Sequence, residues 1–293
     1  MRALFVFCEG RHDVLFTQRC LGALGSYQFF GKSIRELPTP LGDAPVEHDG
    51  DKSYIARRIA RARVGTSTLQ TAAHPARPVF ESVLTKTTPS TETTPSTKTI
   101  VVLLRAHGDS TAEANLELLR ELGDLLVIPR WDIREYAVAF LFDADGSLDQ
   151  RLERFRRKYA EIMNSAEPID HDQWVPGTLG ARGIGLHVFH DPSRRAGTLD
   201  EELERIVRQQ LPDKIVAATA FIDGAKDPSD PVSVSEASRL KAVVTAAGQF
   251  SHPGDPLSRL LADRERLPRD VFSRSPLGQR LVDFLGRAPW SAD

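Results

Sequence analysis

An α/β fold with a mostly parallel central sheet and helices on both faces is what this chain predicts, on three observations. Four apolar runs, residues 3–8 (ALFVFC), 99–105 (TIVVLLR), 137–142 (AVAFLF) and 184–189 (IGLHVF), are nearly continuous. Strands buried on both faces of a parallel sheet read this way. Segments with helical periodicity separate the runs, which points to a parallel-type sheet. Two of the runs stop on acidic residues, Glu9 and Asp143, and open α/β sheets bind their ligands at the carboxyl ends of strands.

Composition bounds the answer. The 293 residues suffice for one large domain or two modest ones, and 41% of them are apolar, enough for a core. With 38 basic and 40 acidic residues, net charge points to no partner, so a polyanion would be held by local basic patches. Cys8 and Cys20 are the only cysteines, which excludes a disulfide scaffold and a four-cysteine zinc site. The apolar start ends at Glu9, too short for a signal peptide. No stretch approaches the roughly 20 apolar residues of a membrane span. The expectation is a soluble cytoplasmic protein with no membrane partner.

After the first strand, Val14, Leu15, Cys20, Leu21 and Leu24 share one helical face, with Asp13 as N-cap and Gly25 as stop. Residues 26–33 (SYQFFGKS) fail as a phosphate loop: Ser26 stands where the first glycine is needed, and a helix precedes them instead of a strand. Any ATP dependence would therefore come from a separate ATPase partner subunit.

Residues 45–98 read as an insertion. Its basic stretch 52–63 (KSYIARRIARAR) offers Arg57, Arg58 and Arg61 to nucleic-acid phosphates beside Tyr54. Residues 83–98 (VLTKTTPSTETTPSTK) are low in apolar content and read as a linker or loop. Further on, 110–124 and 148–163 are expected helices. In the second, Arg151, Arg154, Arg156, Arg157 and Lys158 interleave with Asp149 and Glu153, the pattern of a solvated face. His187 and His190 lack a third metal ligand at convincing spacing, and His12 reads as a surface residue. Residues 200–210 are helical, 214–222 are ambiguous, and the last part alternates short helices with Pro/Gly turns. Residues 1–225 form the α/β unit, interrupted by 45–98, and 226–293 a helical extension packed on it.

Glu9-Gly10-Arg11-His12-Asp13 follows the first strand, and Asp143-Ala144-Asp145-Gly146 the third. Carboxylates converging over a sheet edge suit Mg²⁺ or Mn²⁺, hard cations that take oxygen ligands and keep several waters. With FVFCEGRHD followed by AFLFDADGS, the chain resembles the Toprim family, in its OLD-like and small uncharacterised branches. By that resemblance Glu9 serves acid/base chemistry or metal contact, Asp143 and Asp145 hold Mg²⁺, and Asp13 is a further carboxylate. Residues 184–203 (IGLHVFHDPSRRAGTLDEEL) resemble a segment of the same group, which adds Asp191 and Asp200. Residues 238–249 (SRLKAVVTAAGQ) resemble its lysine-bearing helix, which makes Lys241 a candidate for stabilising phosphate charge. The likeness covers 1–44 and 99–285.

A topoisomerase would need a longer chain with a tyrosine-bearing domain, and a primase extra zinc modules. What the resemblance implies here is a compact metal-dependent nuclease, of the kind that serves as effector in bacterial defence, with nucleic acid as partner and a homo-oligomer allowed. The alternative is a non-catalytic Mg²⁺-binding nucleic-acid-binding or regulatory module. A phosphohydrolase with Asp143 as nucleophile fits less well, because its Asp-x-Asp follows the first strand, where this chain has Glu9.

Overall fold

The computed structural model describes residues 1–29, 79–88, 97–106, 111–126, 132–165, 168–225, 236–250, 253–254 and 256–290. The core is a seven-stranded mixed sheet of strands β1 (Arg2–Cys8), β2 (Tyr27–Phe29), β3 (Val79–Thr88), β4 (Thr97–Arg105), β5 (Glu135–Asp143), β6 (Gln173–Val175) and β7 (Ile184–Phe189). Their order is β2-β3-β4-β1-β5-β7-β6. The central four, β4-β1-β5-β7, run parallel and are the four apolar runs of the sequence. Antiparallel strands close both edges. The helices are α1 (Arg11–Ala23), α2 (Ala112–Leu126), α3 (Leu148–Lys158), α4 (Leu199–Gln210), α5 (Pro212–Gly224), α6 (Glu236–Gln249), α7 (Leu257–Ala262), α8 (Arg269–Arg274) and α9 (Pro276–Gly286).

Two apolar layers sandwich the sheet. One holds Val14, Phe16 and Leu21 of α1, Leu203 and Val207 of α4, Val243 and Val244 of α6, and Phe272 and Phe284 of α8 and α9, against the side of β1 that carries Leu4 and Val6. The other holds Leu118 and Leu122 of α2 and Leu152 and Phe155 of α3, against Phe5 and Phe7. Alternate side chains of β1 thus enter opposite cores, the reason its sequence shows no polar position. The helix after β1 therefore lies on one face, and those after β4 and β5 lie on the other. This makes the ends of β1 and β5 a topological switch point, where a crevice opens between diverging loops.

Arg19 clips α1 to the turn after α7. Its guanidinium donates to the carbonyls of Leu261 at 3.2 Å, Ala262 at 3.3 Å and Pro268 at 3.2 Å, and to that of Leu267. It also stacks over the Phe272 ring at 4.7 Å. On the other edge, β7 passes so close to Trp174 and Phe284 that a Cβ on Gly185 would lie 2.7 Å from the indole and 2.8 Å from the phenyl ring. No larger residue fits there.

Two expectations are corrected and one ambiguity is resolved. Residues 83–98 are not a linker over their described part: Val83–Thr88 belongs to β3, and Thr97 and Lys98 open β4, paired antiparallel with Val83↔Val102 and Thr88↔Thr97 in register. The β-branched threonines suit a pleated strand, and the ladder satisfies the backbone that a composition argument leaves to water. The helix cap is Gly10, and Asp13 sits at the third helical position, its carboxylate accepting the Gly10 N–H. The ambiguous segment 214–222 lies in α5, where Pro212 begins the helix at a position that needs no N–H donor. The basic stretch 52–63, with Arg57, Arg58 and Arg61, lies outside the described residues.

Candidate acidic active site

Glu9 leaves β1 and Asp143 ends β5, side by side at the switch point. The Asp143 N–H donates to Glu9 Oε2 at 3.2 Å, and Asp143 Oδ1 accepts the Leu199 N–H at 2.7 Å. Leu199 opens α4, so the positive end of that helix faces the Asp143 carboxylate. Asp200 follows and lies 3.9 Å from His12 Nδ1 on α1. The loop after β5 is tied to the start of α4 by a reciprocal backbone pair, Asp145 N to Gly197 O at 3.0 Å and Gly197 N to Asp145 O at 2.8 Å. Here the left-handed residue is Asp145 itself, with φ of 52°, an angle aspartate tolerates, and not Gly146. Gly197 has φ of 115°, an angle that strains any side chain, and a Cβ there would also push on the Glu201 carboxylate at 2.9 Å.

The electrostatics bind these carboxylates into one group. Burial, then the charges of Asp13 and Glu9, push the Asp143 carboxyl well up, against the bond from Leu199. Asp13 is pushed up to about 7 by burial first, with Glu9 and Asp200 adding to it and the Gly10 bond and Lys241 opposing it. Asp200 is raised by burial and partly relieved by Lys241. His12 falls to about 4 through burial and the positive charges of Lys241 and Arg11, so near neutrality it is an uncharged base. Lys241, exposed on α6, is thus felt by His12, Asp13 and Asp200 alike.

Arg151 is the residue that sequence reasoning misplaced. Its side chain is only 4% exposed, 2.6 Å from Asp145 Oδ2 and 3.7 Å from Glu9 Oε2. It lies on the inward stripe of α3 with Leu148, Leu152 and Phe155, so helical spacing contained the signal that charge alternation hid. Asp145, 60% exposed, is engaged by this arginine. Asp191 stands apart: its carboxylate accepts the Ser193 N–H at 2.8 Å and Oγ–H at 2.6 Å, bonds that hold it down at about 2. It builds a turn, and no described contact joins it to Glu9, Asp13 or Asp143.

Among the described residues, no three of these carboxylates bring oxygens within 4.8 Å of one another; the group that does is His171, Asp172 and His187. That group is held by its own contacts, with His187 Nε2 buried and, among the described residues, without a hydrogen-bond partner. The Val188 N–H donates to His171 Nδ1 at 3.2 Å, which leaves the proton on Nε2, 2.9 Å from Asp172 Oδ2. His187 Nδ1 is 2.5 Å from Asp172 Oδ1. Burial opposes the Asp172 charge, yet both histidines hold its carboxyl below the usual range. Both rings face the carboxylate with N–H donors, and the lone pairs a metal needs point elsewhere. His190 is engaged separately, its Nδ1 2.8 Å from the Val188 carbonyl.

Comparison with protein-family models, curated proteins and solved structures finds no match to this chain. The functional reading rests on the site alone. No helix among the described residues is long and apolar enough to cross a membrane.

Proposed function

We propose that the chain is a Mg²⁺- or Mn²⁺-dependent nuclease of Toprim type, hydrolysing phosphodiester bonds of DNA or RNA at the Glu9–Asp143 crevice. The observation that carries this reading is the convergence of Glu9 and Asp143 at a switch point, joined by the Asp143 N–H to Glu9 Oε2 bond, with the charges of Glu9 and Asp200 raising both Asp13 and Asp143. Buried carboxylates that raise one another's pKa are a group that a dication stabilises. The donor set is all oxygen, and Mg²⁺ commonly takes only one or two carboxylates and keeps waters, so wide spacing fits such an ion. Glu9 and Asp143 would hold it, with Asp13 and Asp200 close by and Asp145 available once it parts from Arg151. The ion would polarise the phosphate and activate a water.

The chain's own groups do the rest. Asp13, pushed up to about 7 in the metal-free site, would give up its proton as the ion binds and then serve as a general base. Lys241 supplies positive charge for a phosphate in flight. One observation favours the alternative of a binding or regulatory module: Arg151 already offers Glu9 and Asp145 an internal cation. The test is incubation with supercoiled plasmid, single-stranded DNA and total tRNA, with Mg²⁺ or Mn²⁺. Cleavage lost with EDTA, and reduced about 10²–10⁴-fold in Glu9→Ala, supports the reading and names the substrate. Absence of cleavage on all three substrates sinks it.

A further inference from the structure

A second feature adjoins the acidic crevice. Between α1, α6 and α7 lies a cleft of about 650 Å³, lined by Arg11 and Leu15 of α1, Thr245 and Gly248 of α6, Arg259 of α7, and Arg266. Two of its helices also carry residues of the acidic site. The first turn of α1 carries Arg11 on the cleft and Asp13 in the crevice. On α6, Lys241, Thr245 and Gly248 are spaced four and three residues apart, one stripe of a helix. The lysine at its start acts on the carboxylates, and the rest of the stripe lines the cleft. Among the described residues the charge of the lining is one-sided: three guanidinium groups stand against one carboxylate, Asp263, which pairs with Arg266 at 3.3 Å.

We propose that a single nucleic-acid strand reaches the crevice along this cleft, its phosphates met by Arg11, Arg259 and Arg266. The proposal rests on the nuclease reading of the crevice. Arginine forks pair with phosphate oxygens in two-point fashion, and Leu15 offers apolar contact to a sugar or base. The volume is in the class that encloses one small ligand, so it takes a nucleotide or two of a strand and rejects a duplex. This places strand contacts on described residues, independent of Arg57, Arg58 and Arg61.

The test uses the full chain in EDTA, with fluorescence anisotropy of a labelled single-stranded oligonucleotide, its duplex, and salt titration. Arg11→Glu and Arg259→Glu should each weaken strand binding about tenfold or more, and shallow the log–log salt slope by about 0.7 per lost phosphate contact. Arg157→Glu, on an exposed position of α3 across the sheet, should leave both unchanged. Circular dichroism checks that each variant folds. Unchanged affinity in the Arg11/Arg259 double variant, an equal effect from Arg157→Glu, a duplex bound as tightly as the strand, or no strand binding by the wild type would each overturn the cleft. Strand binding that depends on these arginines, with no cleavage in Mg²⁺ or Mn²⁺, retains the cleft and removes the nuclease reading. Cleavage by both arginine variants at wild-type rate under subsaturating substrate does the reverse.

Discussion

Asp143 shows how a residue can cost a fold stability and still be what the site is built on. It ends a strand buried on both sides, and its neighbours Asp13 and Glu9 repel its charge. A carboxyl whose folded pKa lies above its unfolded value binds its proton more tightly when folded. Stability then falls as pH rises through the window between the two values, here from about 4 to about 7 on the Asp13 shift. The carboxylates thus favour pH 5 over pH 8 in the metal-free protein, while His12, held at about 4, works the other way below its unfolded value; Mg²⁺ should recover part of the carboxylate loss at pH 8. Asp143→Asn keeps an acceptor for the Leu199 N–H while removing one charge. Melting in EDTA should show it more stable than wild type at pH 8, with the gain fading by pH 5. A variant less stable at pH 8 would contradict the repulsion. At this scale Glu9 and Asp143 were legible because each interrupts an apolar run. Arg151 was misread because alternating charge on α3 was weighed above its place beside Leu148 and Leu152 on the buried stripe. The His171–Asp172–His187 network was invisible, because residues fifteen apart meet only through the β6–β7 pairing.

Elements succeed or fail as predictions according to where their stabilisation comes from. The four central strands carry their own signal, because two-sided burial leaves few polar positions in their middles. The β3–β4 pair does not: Thr85, Lys86 and Thr87 look like linker until β4 on one side and β2 on the other pair with the strand. Strands of three residues, such as β2 and β6, are too short for any periodicity to register. Arg19 adds a polar tie between α1 and the turn after α7, with donors to four carbonyls. Arg19→Leu keeps the bulk and strands those acceptors, at a cost of about 2–4 kcal/mol. Urea unfolding should show this as a lower midpoint with an unchanged slope. A midpoint within error of wild type would mean that the clip adds nothing.

The whole molecule depends on helices that come last in the chain. Val243, Val244, Leu261, Phe272, Leu281 and Phe284 all lie in the layer that covers one face of the sheet, each contributing about 1.5–3 kcal/mol of burial. Their sum rivals the total stability of a domain. A chain ending at residue 235 should give no cooperative unfolding transition; a native-like melt would show that the α/β part stands alone. The same arrangement brings Lys241, more than two hundred residues from Glu9 in sequence, to the crevice that β1 and β5 open, and that meeting is the central claim in physical form. Calorimetric titration of Mn²⁺ at pH 7 tests it most directly. Wild type should bind with release of a proton, since Asp13 is half protonated there, and Glu9→Gln and Asp143→Asn should each weaken binding at least tenfold. No binding to the wild type, or equal binding to both variants, would show that the acidic crevice is not a metal site.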